Sequence, residues 1–341
     1  MITAQELERR EVRGTFRQTL GGRKRAALKF AGFAFIWLGF FALNRATPYI
    51  GVGSDVATLK KKNYESEGNT FPRAFSGTKL AVFGNSKALS GFIPDEFDSL
   101  AAREDLKVYS FNSGFPGQSE FVDELALMTK RGAAPNVVLL TIPWQPKPRG
   151  ISLFNLPIDD HKLADEIFPF RLFIRNLVRF LVKSSSSGGP AKLYRKDEIE
   201  AETVLRARGY YFIKDLSKFP GDQLPAKYSL PSDDPAHVAQ RPADFNSGQL
   251  DQLNSALEAH NIRCFYVPVF LRSAEAAPAP AIDMEFASAL ATHSTCRVLG
   301  PDYFTYPNSY YSDEAHLNPQ GAKVYTEDIY KLVAPYLRKV N

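Results

Sequence analysis

From Lys79 onward the chain alternates short apolar runs with segments whose apolar residues recur at helical spacing. Leu80-Ala81-Val82-Phe83, Val108-Tyr109-Ser110-Phe111 and Val137-Val138-Leu139-Leu140-Thr141-Ile142 each predict a buried parallel strand. Between the second and third, Phe121, Leu125 and Met128 mark a helix over 119–131. A strand, helix, strand unit of this kind requires a parallel sheet with right-handed crossovers. The rhythm resumes after position 245: Leu250, Leu253 and Leu257 mark a helix, Ile262 to Phe270 a strand, Ile282 to Ala291 a helix, and Arg297-Val298-Leu299 a short strand. A last helix runs from about Pro319 to Arg338, with proline acceptable in its first turn. The pattern predicts an α/β three-layer sandwich around a central parallel sheet, the flavodoxin-like arrangement.

Residues 146–245 break that rhythm. They hold an amphipathic stretch from Phe168 to Val182, a Ser184-to-Pro190 loop rich in Ser and Gly, and a charged helix near Asp197 to Arg208. They read as an insertion or cap over the sheet, with Phe168, Phe170 and Phe173 available for core packing or for membrane or substrate contact. Residues 46–78, mixed and polar, read as a stalk or lead-in without chemistry.

At the other end, Ala26-Ala27-Leu28 and Phe30 to Leu43 make an apolar stretch of about 18 residues broken only by Lys29, near the lower limit for a helix crossing hydrocarbon. Residues 1–25 carry seven basic and three acidic side chains, four of the five net positive charges. That excess before the apolar stretch places the N-terminus in the cytoplasm. The expected layout is a basic cytoplasmic tail over 1–25, a single transmembrane signal anchor over 26–45, the lead-in, and an exported domain over 79–341, periplasmic or extracellular. The exported body is close to neutral, which argues against a nucleic-acid partner. Two cysteines, Cys264 and Cys296, exclude a Cys-rich zinc module. In an exported body they either pair or remain buried thiols.

The first strand ends at Phe83-Gly84 and runs into Asn85-Ser86-Lys87, which sets a serine at the carboxyl edge of the sheet, where open α/β proteins hold ligands. A serine nucleophile needs a base. Of His161, His237, His260, His293 and His316, only His316 has an ordered acidic neighbour, Asp313, three residues before it. A tight turn there would bring the carboxylate to Nδ1 and leave Nε2 for a serine proton; a polar helix N-terminus would read the same way. Lys87 reads either as a solvated lysine at a helix start or as a charge steering an anionic substrate. Tyr303, Tyr306, Tyr310 and Tyr311 could form a sugar-stacking platform or pack their loop. His237 lacks ligand partners, so no metal site and no cofactor are expected.

Three blocks together resemble the SGNH (GDSL-like) hydrolase superfamily: Gly84-Asn85-Ser86, Asn112-Ser113-Gly114-Phe115-Pro116-Gly117, and Asp313 to His316 continuing into Leu317-Asn318. Their order and spacing fit across roughly 79–338. The resemblance implies Ser86 as nucleophile, His316 as general base, Asp313 as its orienting partner, and backbone N–H groups of Ser86 and Gly117 as oxyanion donors. Two departures stand out. Asn85 replaces the usual aspartate, and Pro143-Trp144-Gln145-Pro146 stands where the family carries G-x-N-D, so Gln145 is the candidate for the missing amide.

The anchor and the motif style look most like envelope proteins that accompany membrane-bound O-acyltransferases in polysaccharide O-acetylation or D-alanyl transfer. The expected function is a membrane-anchored esterase or O-acyltransferase acting on acyl groups of an envelope glycan or exopolysaccharide. The alternative is a catalytically weak or inactive scaffold or glycan-binding partner of a membrane-bound O-acyltransferase or polysaccharide synthase.

Overall fold

A computed structural model describes residues 24–39, 56–115, 121–141, 151–153, 156–158, 171–228, 247–272, 294–301 and 303–338. The chain divides into a larger unit, 55–169 with 187–341, and a smaller one, 1–54 with 170–186.

The larger unit is built on five parallel strands: β1 (Thr78–Gly84), β2 (Val108–Gly114), β3 (Val137–Leu140), β6 (Arg263–Tyr266) and β8 (Arg297–Val298). They lie in the spatial order β2-β1-β3-β6-β8. Counting only these five in chain order gives 2-1-3-4-5, the flavodoxin-like doubly wound sheet. Register runs from Thr78 opposite Val108 to Gly84 opposite Gly114, and from Leu80 opposite Val137 to Phe83 opposite Leu140. Both β1 neighbours therefore end level with it, and their loops meet at one edge.

Alternation along β1 builds two cores. Leu80 and Val82 face one side with Phe97, Tyr325, Ile329 and Val333. Ala81 and Phe83 face the other with Val122, Leu125, Met128, Leu253 and Leu257. The first core is covered by α4 (Pro94–Ala102) and α9 (Pro319–Leu337), the second by α5 (Phe121–Lys130) and α8 (Ser247–Ala259). Helices thus cover both faces, giving the three layers.

The strand expected over Ile262–Phe270 divides at Val267-Pro268. Proline offers no N–H to a ladder. The chain leaves β3 there, and β7 (Val269–Arg272) pairs instead with β9 (Tyr303–Tyr306). A separate hairpin joins β4 (Ile151–Leu153) and β5 (Leu156–Ile158). Cys264 of β6 and Cys296, just before β8, form a disulfide, which resolves the two readings of that pair. The helix expected over 282–291 lies outside the described residues.

Two expectations need correction. From residue 56 the lead-in is not a stalk: α2 (Val56–Ser66) packs on α5 and on α7 (Pro190–Arg206) within the larger unit. Nor is 146–245 one continuous cap. Helix α6 (Arg171–Ser186) falls in the smaller unit, while α7 and the loop to Tyr228 are woven into the larger one. Of the expected anchor over 26–45, the described part is helical, α1 over 24–39, with Phe30, Phe33, Phe35 and Ile36 exposed. Among the described residues no helix is long and apolar enough to cross a membrane; residues 40–45 lie outside them.

Candidate active site

Ser86 opens α3 (Ser86–Gly91) two residues beyond β1, at the point where the sheet winds away in both directions. Asn85 caps this helix, its Oδ1 accepting the Lys87 N–H at 2.9 Å. An acceptor oxygen is all that capping requires, so asparagine serves as well as aspartate here. The turn is tight enough to demand glycine at 84, where a Cβ would stand 2.1 Å from Thr141 Oγ1 and 2.5 Å from the Ala88 Cβ. As the first residue of α3, Ser86 has a backbone N–H without an intrahelical acceptor, the condition an oxyanion donor must meet.

His316 and Asp313 arrive from a closed turn ahead of α9. Tyr311 and Leu317 form an isolated antiparallel bridge, and the Ser312 N–H donates to the His316 carbonyl at 2.9 Å. This clamp folds the five residues between Tyr311 and Leu317 into a loop that turns Asp313 back on His316. Asp313 Oδ1 accepts the backbone N–H groups of Ala315 and His316 at 2.7 and 2.8 Å. His316 Nδ1 lies 3.0 and 2.9 Å from the two carboxylate oxygens, and Nε2 lies 2.9 Å from Ser86 Oγ. With Nδ1–H donating to Asp313, Nε2 is the acceptor for the serine hydroxyl.

The side chains of His316 and Asp313 are only 12% and 16% exposed. Burial pushes the Asp313 carboxyl up, but the hydrogen bonds from the His316 ring and the Ala315 and His316 amides outweigh it and hold it below the ordinary range. Asp313 is ionised wherever the imidazole would accept a proton.

Several buried side chains hold the two halves in place. Asn112, fully buried on β2, donates from Nδ2 to the carbonyls of Ala88 and Phe92 at 2.8 Å and of Leu89 at 3.3 Å, and its Oδ1 accepts the Gly114 N–H at 2.9 Å. It fastens the nucleophile helix to the end of β2. Asn318 caps α9 through Gly321 and donates to the Asp222 and Ser309 carbonyls. Lys61 of α2, 2% exposed, donates to Glu65 at 2.6 Å and to the Gly114 carbonyl at 3.0 Å, with its ammonium 3.8 Å from the centre of the Phe115 ring. Burial drives the Lys61 ammonium down and the Glu65 carboxyl up, each opposed by the other's charge.

The 190–228 segment touches every one of these parts. The Arg208 carbonyl accepts the Asn112 N–H, the Tyr211 N–H donates to the Leu89 carbonyl, and the Leu224 N–H donates to the Tyr311 carbonyl. The Arg208 guanidinium pairs with Asp95 and Asp98 and reaches the Ser110 carbonyl. Gly209, at φ +89°, lies so close to Asn112 that a Cβ would meet its carbonyl at 2.0 Å. Asn308 donates to the carbonyls of Pro225, Ala226 and Tyr228. Asn112 and Asn318 sat inside recognisable blocks; Arg208, Asn308 and Lys61 carried no signal, because their partners are distant in sequence.

Ser86, Asp313 and His316 are therefore brought together, whereas Gly117 and Gln145 lie outside the described residues. Lys87 is not a freely solvated lysine: its ammonium donates to the Phe270 carbonyl at 3.1 Å, and burial pushes it down to about 8. Tyr306 and Tyr311 are buried in the core beside Phe304, Phe270 and Tyr325, so this run packs its loop and does not present a four-ring platform. His260 is exposed; His161, His237 and His293 lie outside the described residues. Among the described residues no three His, Cys, Asp or Glu side chains are grouped to hold a metal ion.

No family model and no curated protein matches the chain. Among solved structures, two mutant forms of a metal-free periplasmic metal-binding protein from Candidatus Liberibacter asiaticus align over 74% of this chain and 98% of theirs, at 12% and 11% identity. The TM-score is 0.18 for each, too low to carry any argument from fold or function.

Proposed function

We propose that the protein is a membrane-anchored, extracytoplasmic serine esterase or O-acyltransferase of the SGNH (GDSL-like) type, acting on acyl groups of an envelope glycan or exopolysaccharide. The observation that carries this reading is the continuous chain of hydrogen bonds from Ser86 Oγ through the His316 ring to an ionised Asp313. In the first half-reaction Ser86 Oγ attacks the ester carbonyl while His316 Nε2 takes the hydroxyl proton, and Asp313 holds the imidazolium. The Ser86 N–H, with Gly117 and Gln145 as further candidates, meets the oxyanion. Collapse expels the alcohol, which takes the proton from His316 and leaves acyl-Ser86. A water or sugar hydroxyl, deprotonated by His316, then attacks the acyl carbon and releases Ser86.

The Cys264–Cys296 disulfide fits an oxidising compartment outside the cytoplasm. The apolar run over 26–45 would anchor the chain in the cytoplasmic membrane with its N-terminus inside, close to a multi-span O-acyltransferase that could supply the acyl group. The test is labelling of the full chain in detergent by a fluorophosphonate, with Ser86→Ala and His316→Ala as controls. Labelling lost in both supports an activated Ser86. A folded wild-type chain that does not label refutes it and supports the scaffold reading.

A further inference from the structure

We propose that Lys61 of α2 is a positioning residue for the oxyanion side of the site: it locks the peptide unit between Gly114 and Phe115, from which the chain runs on to Gly117. Of the three consecutive lysines in α2, Lys60 pairs with Glu198 and Lys62 is exposed, whereas Lys61 is buried. Its stem lies against the 208–209 turn, where a Cβ on Gly209 would stand 3.1 Å from Lys61 Cε. Taking an ammonium out of water is costly, and a methionine would fill the same space without that cost, so packing alone does not explain the charge. Glu65, 2.6 Å away on the next turn of the helix, supplies the counter-charge that favours the cation in this buried place.

What the ammonium holds is one peptide plane. The Gly114 carbonyl accepts a hydrogen bond from Lys61 Nζ at 3.0 Å, and the N–H of the same planar unit, on Phe115, donates to the Gly84 carbonyl at 3.1 Å. A charged donor at the oxygen also strengthens that N–H as a donor. The plane is thereby tied at one end to α2 and at the other to the residue two before Ser86. The ammonium lies 3.8 Å from the centre of the Phe115 ring, so the side chain and backbone of Phe115 are held together. Pro116 fixes its own φ and restricts Phe115 to extended backbone. Few freely turning bonds therefore separate the locked plane from the Gly117 N–H, and a tilt of the plane is passed on to that donor. The inference rests on the catalytic reading of Ser86 and Gly117 and adds to it α2, which precedes every motif of the site.

The test uses the full chain in detergent with a fluorophosphonate as the probe. Lys61→Met with Glu65→Leu removes the cation without leaving its counter-charge buried, and Lys61→Met with Glu65→Gln stands in should the first pair not fold. Lys61→Arg keeps a cationic donor, and replacing Cys264 and Cys296 by serine lowers stability through the β6–β8 link as a control. The neutral pair should label on the order of 10²-fold more slowly at saturating probe, with the half-saturating concentration little changed. The phosphorus NMR resonance of its phosphonylated Ser86 should move toward that of the same adduct unfolded in urea, as a phosphoryl oxygen does on losing hydrogen-bond donors. Lys61→Arg should label within about tenfold of wild type and keep the native resonance, as should the cysteine variant. A folded neutral pair with wild-type labelling, or with slowed labelling and an unmoved resonance, overturns the inference. So does an arginine variant that folds but labels as slowly as the neutral pair, or a cysteine variant whose resonance moves as far. Failure of both neutral pairs to fold overturns it as well, because Lys61 would then serve folding alone. A folded wild type that does not label overturns the catalytic reading and this inference with it, whereas a wild type that labels leaves the catalytic reading standing whatever the Lys61 variants do.

Discussion

Replacing Asn112 with alanine tests how the nucleophile is held. The Asn112 amide satisfies two buried groups that have no second partner among the described residues: the Phe92 carbonyl at the end of α3 and the Gly114 N–H at the end of β2. The Ala88 and Leu89 carbonyls are less exposed to the loss, since they also accept the Phe92 and Tyr211 N–H groups. Each buried group left unmet costs about 1–3 kcal/mol, so Asn112→Ala should lose about 2–6 kcal/mol of stability. It should also free α3 to shift, and a misplacement of about 1 Å at the reacting atom costs on the order of 10²-fold. Asn112→Asp keeps an acceptor for Gly114 but turns an oxygen toward three carbonyls; it should be at least as damaging at neutral pH. Acid should partly rescue it, because a protonated carboxyl regains one donor. Urea unfolding gives the first quantity, and the rate of fluorophosphonate labelling at urea-free, folded conditions gives the second. An unfolding free energy within 1 kcal/mol of wild type together with an unchanged labelling rate would refute the reasoning, because the amide would then be dispensable both to the fold and to Ser86.

Other expectations follow from the same contacts. Lys61→Met leaves Glu65 buried without its cation and should cost about 3–5 kcal/mol, whereas Lys61→Met with Glu65→Leu should cost far less; a double-mutant cycle in urea reads the difference. Replacing both cysteines by serine reopens a loop of 32 residues, worth about 3.7 kcal/mol of unfolded-state entropy, and wild type treated with reductant should fall toward the same melting temperature. Asp313 is held below the ordinary aspartate value of 3.8, so its contribution to stability is complete above that pH and is lost as pH falls through the lower folded value. Asp313→Asn should remove this acid-limb slope and slow Ser86 labelling on the order of 10⁴-fold, as a wrong imidazole tautomer does. Lys87, at about 8 when folded against 10.5 unfolded, carries a burial penalty that is complete below pH 8 and fades as pH rises toward 10.5. Stability measured from pH 8 to 10.5 should show that rise, and Lys87→Met should flatten it.

Much of the sheet was legible because buried parallel strands are written as unbroken apolar runs: β1, β2 and β3 each begin or end within two residues of the run that announces them. The helices α5 and α8 followed from apolar spacing, and α9 was expected from about Pro319, a residue suited to a first turn. Elements whose partners are remote were not legible. Helix α2 is polar in composition, and its packing on α5 and α7, with Lys61 buried beneath the end of β2, is what places it in the domain. Helix α4 begins with Pro94 and carries Asp95 and Glu96 in its first turn, but it is too short for apolar spacing to mark it.

The sequence alone determined the candidate chemistry: a serine after the first strand of a parallel sheet and an Asp-x-x-His turn before the last helix. These are local patterns, carried by neighbours in the chain and read by spacing. Tertiary structure decided the rest. It set Nε2 of His316 2.9 Å from Ser86 Oγ across 230 residues, joined Cys264 to Cys296, divided the middle insertion between two units, and threaded residues 190–228 through the supports of the site. Each of those outcomes depends on contacts between segments far apart in the chain, where the stabilisation comes from burial and from satisfying buried backbone groups, and neither leaves a periodic mark on the residues that provide it.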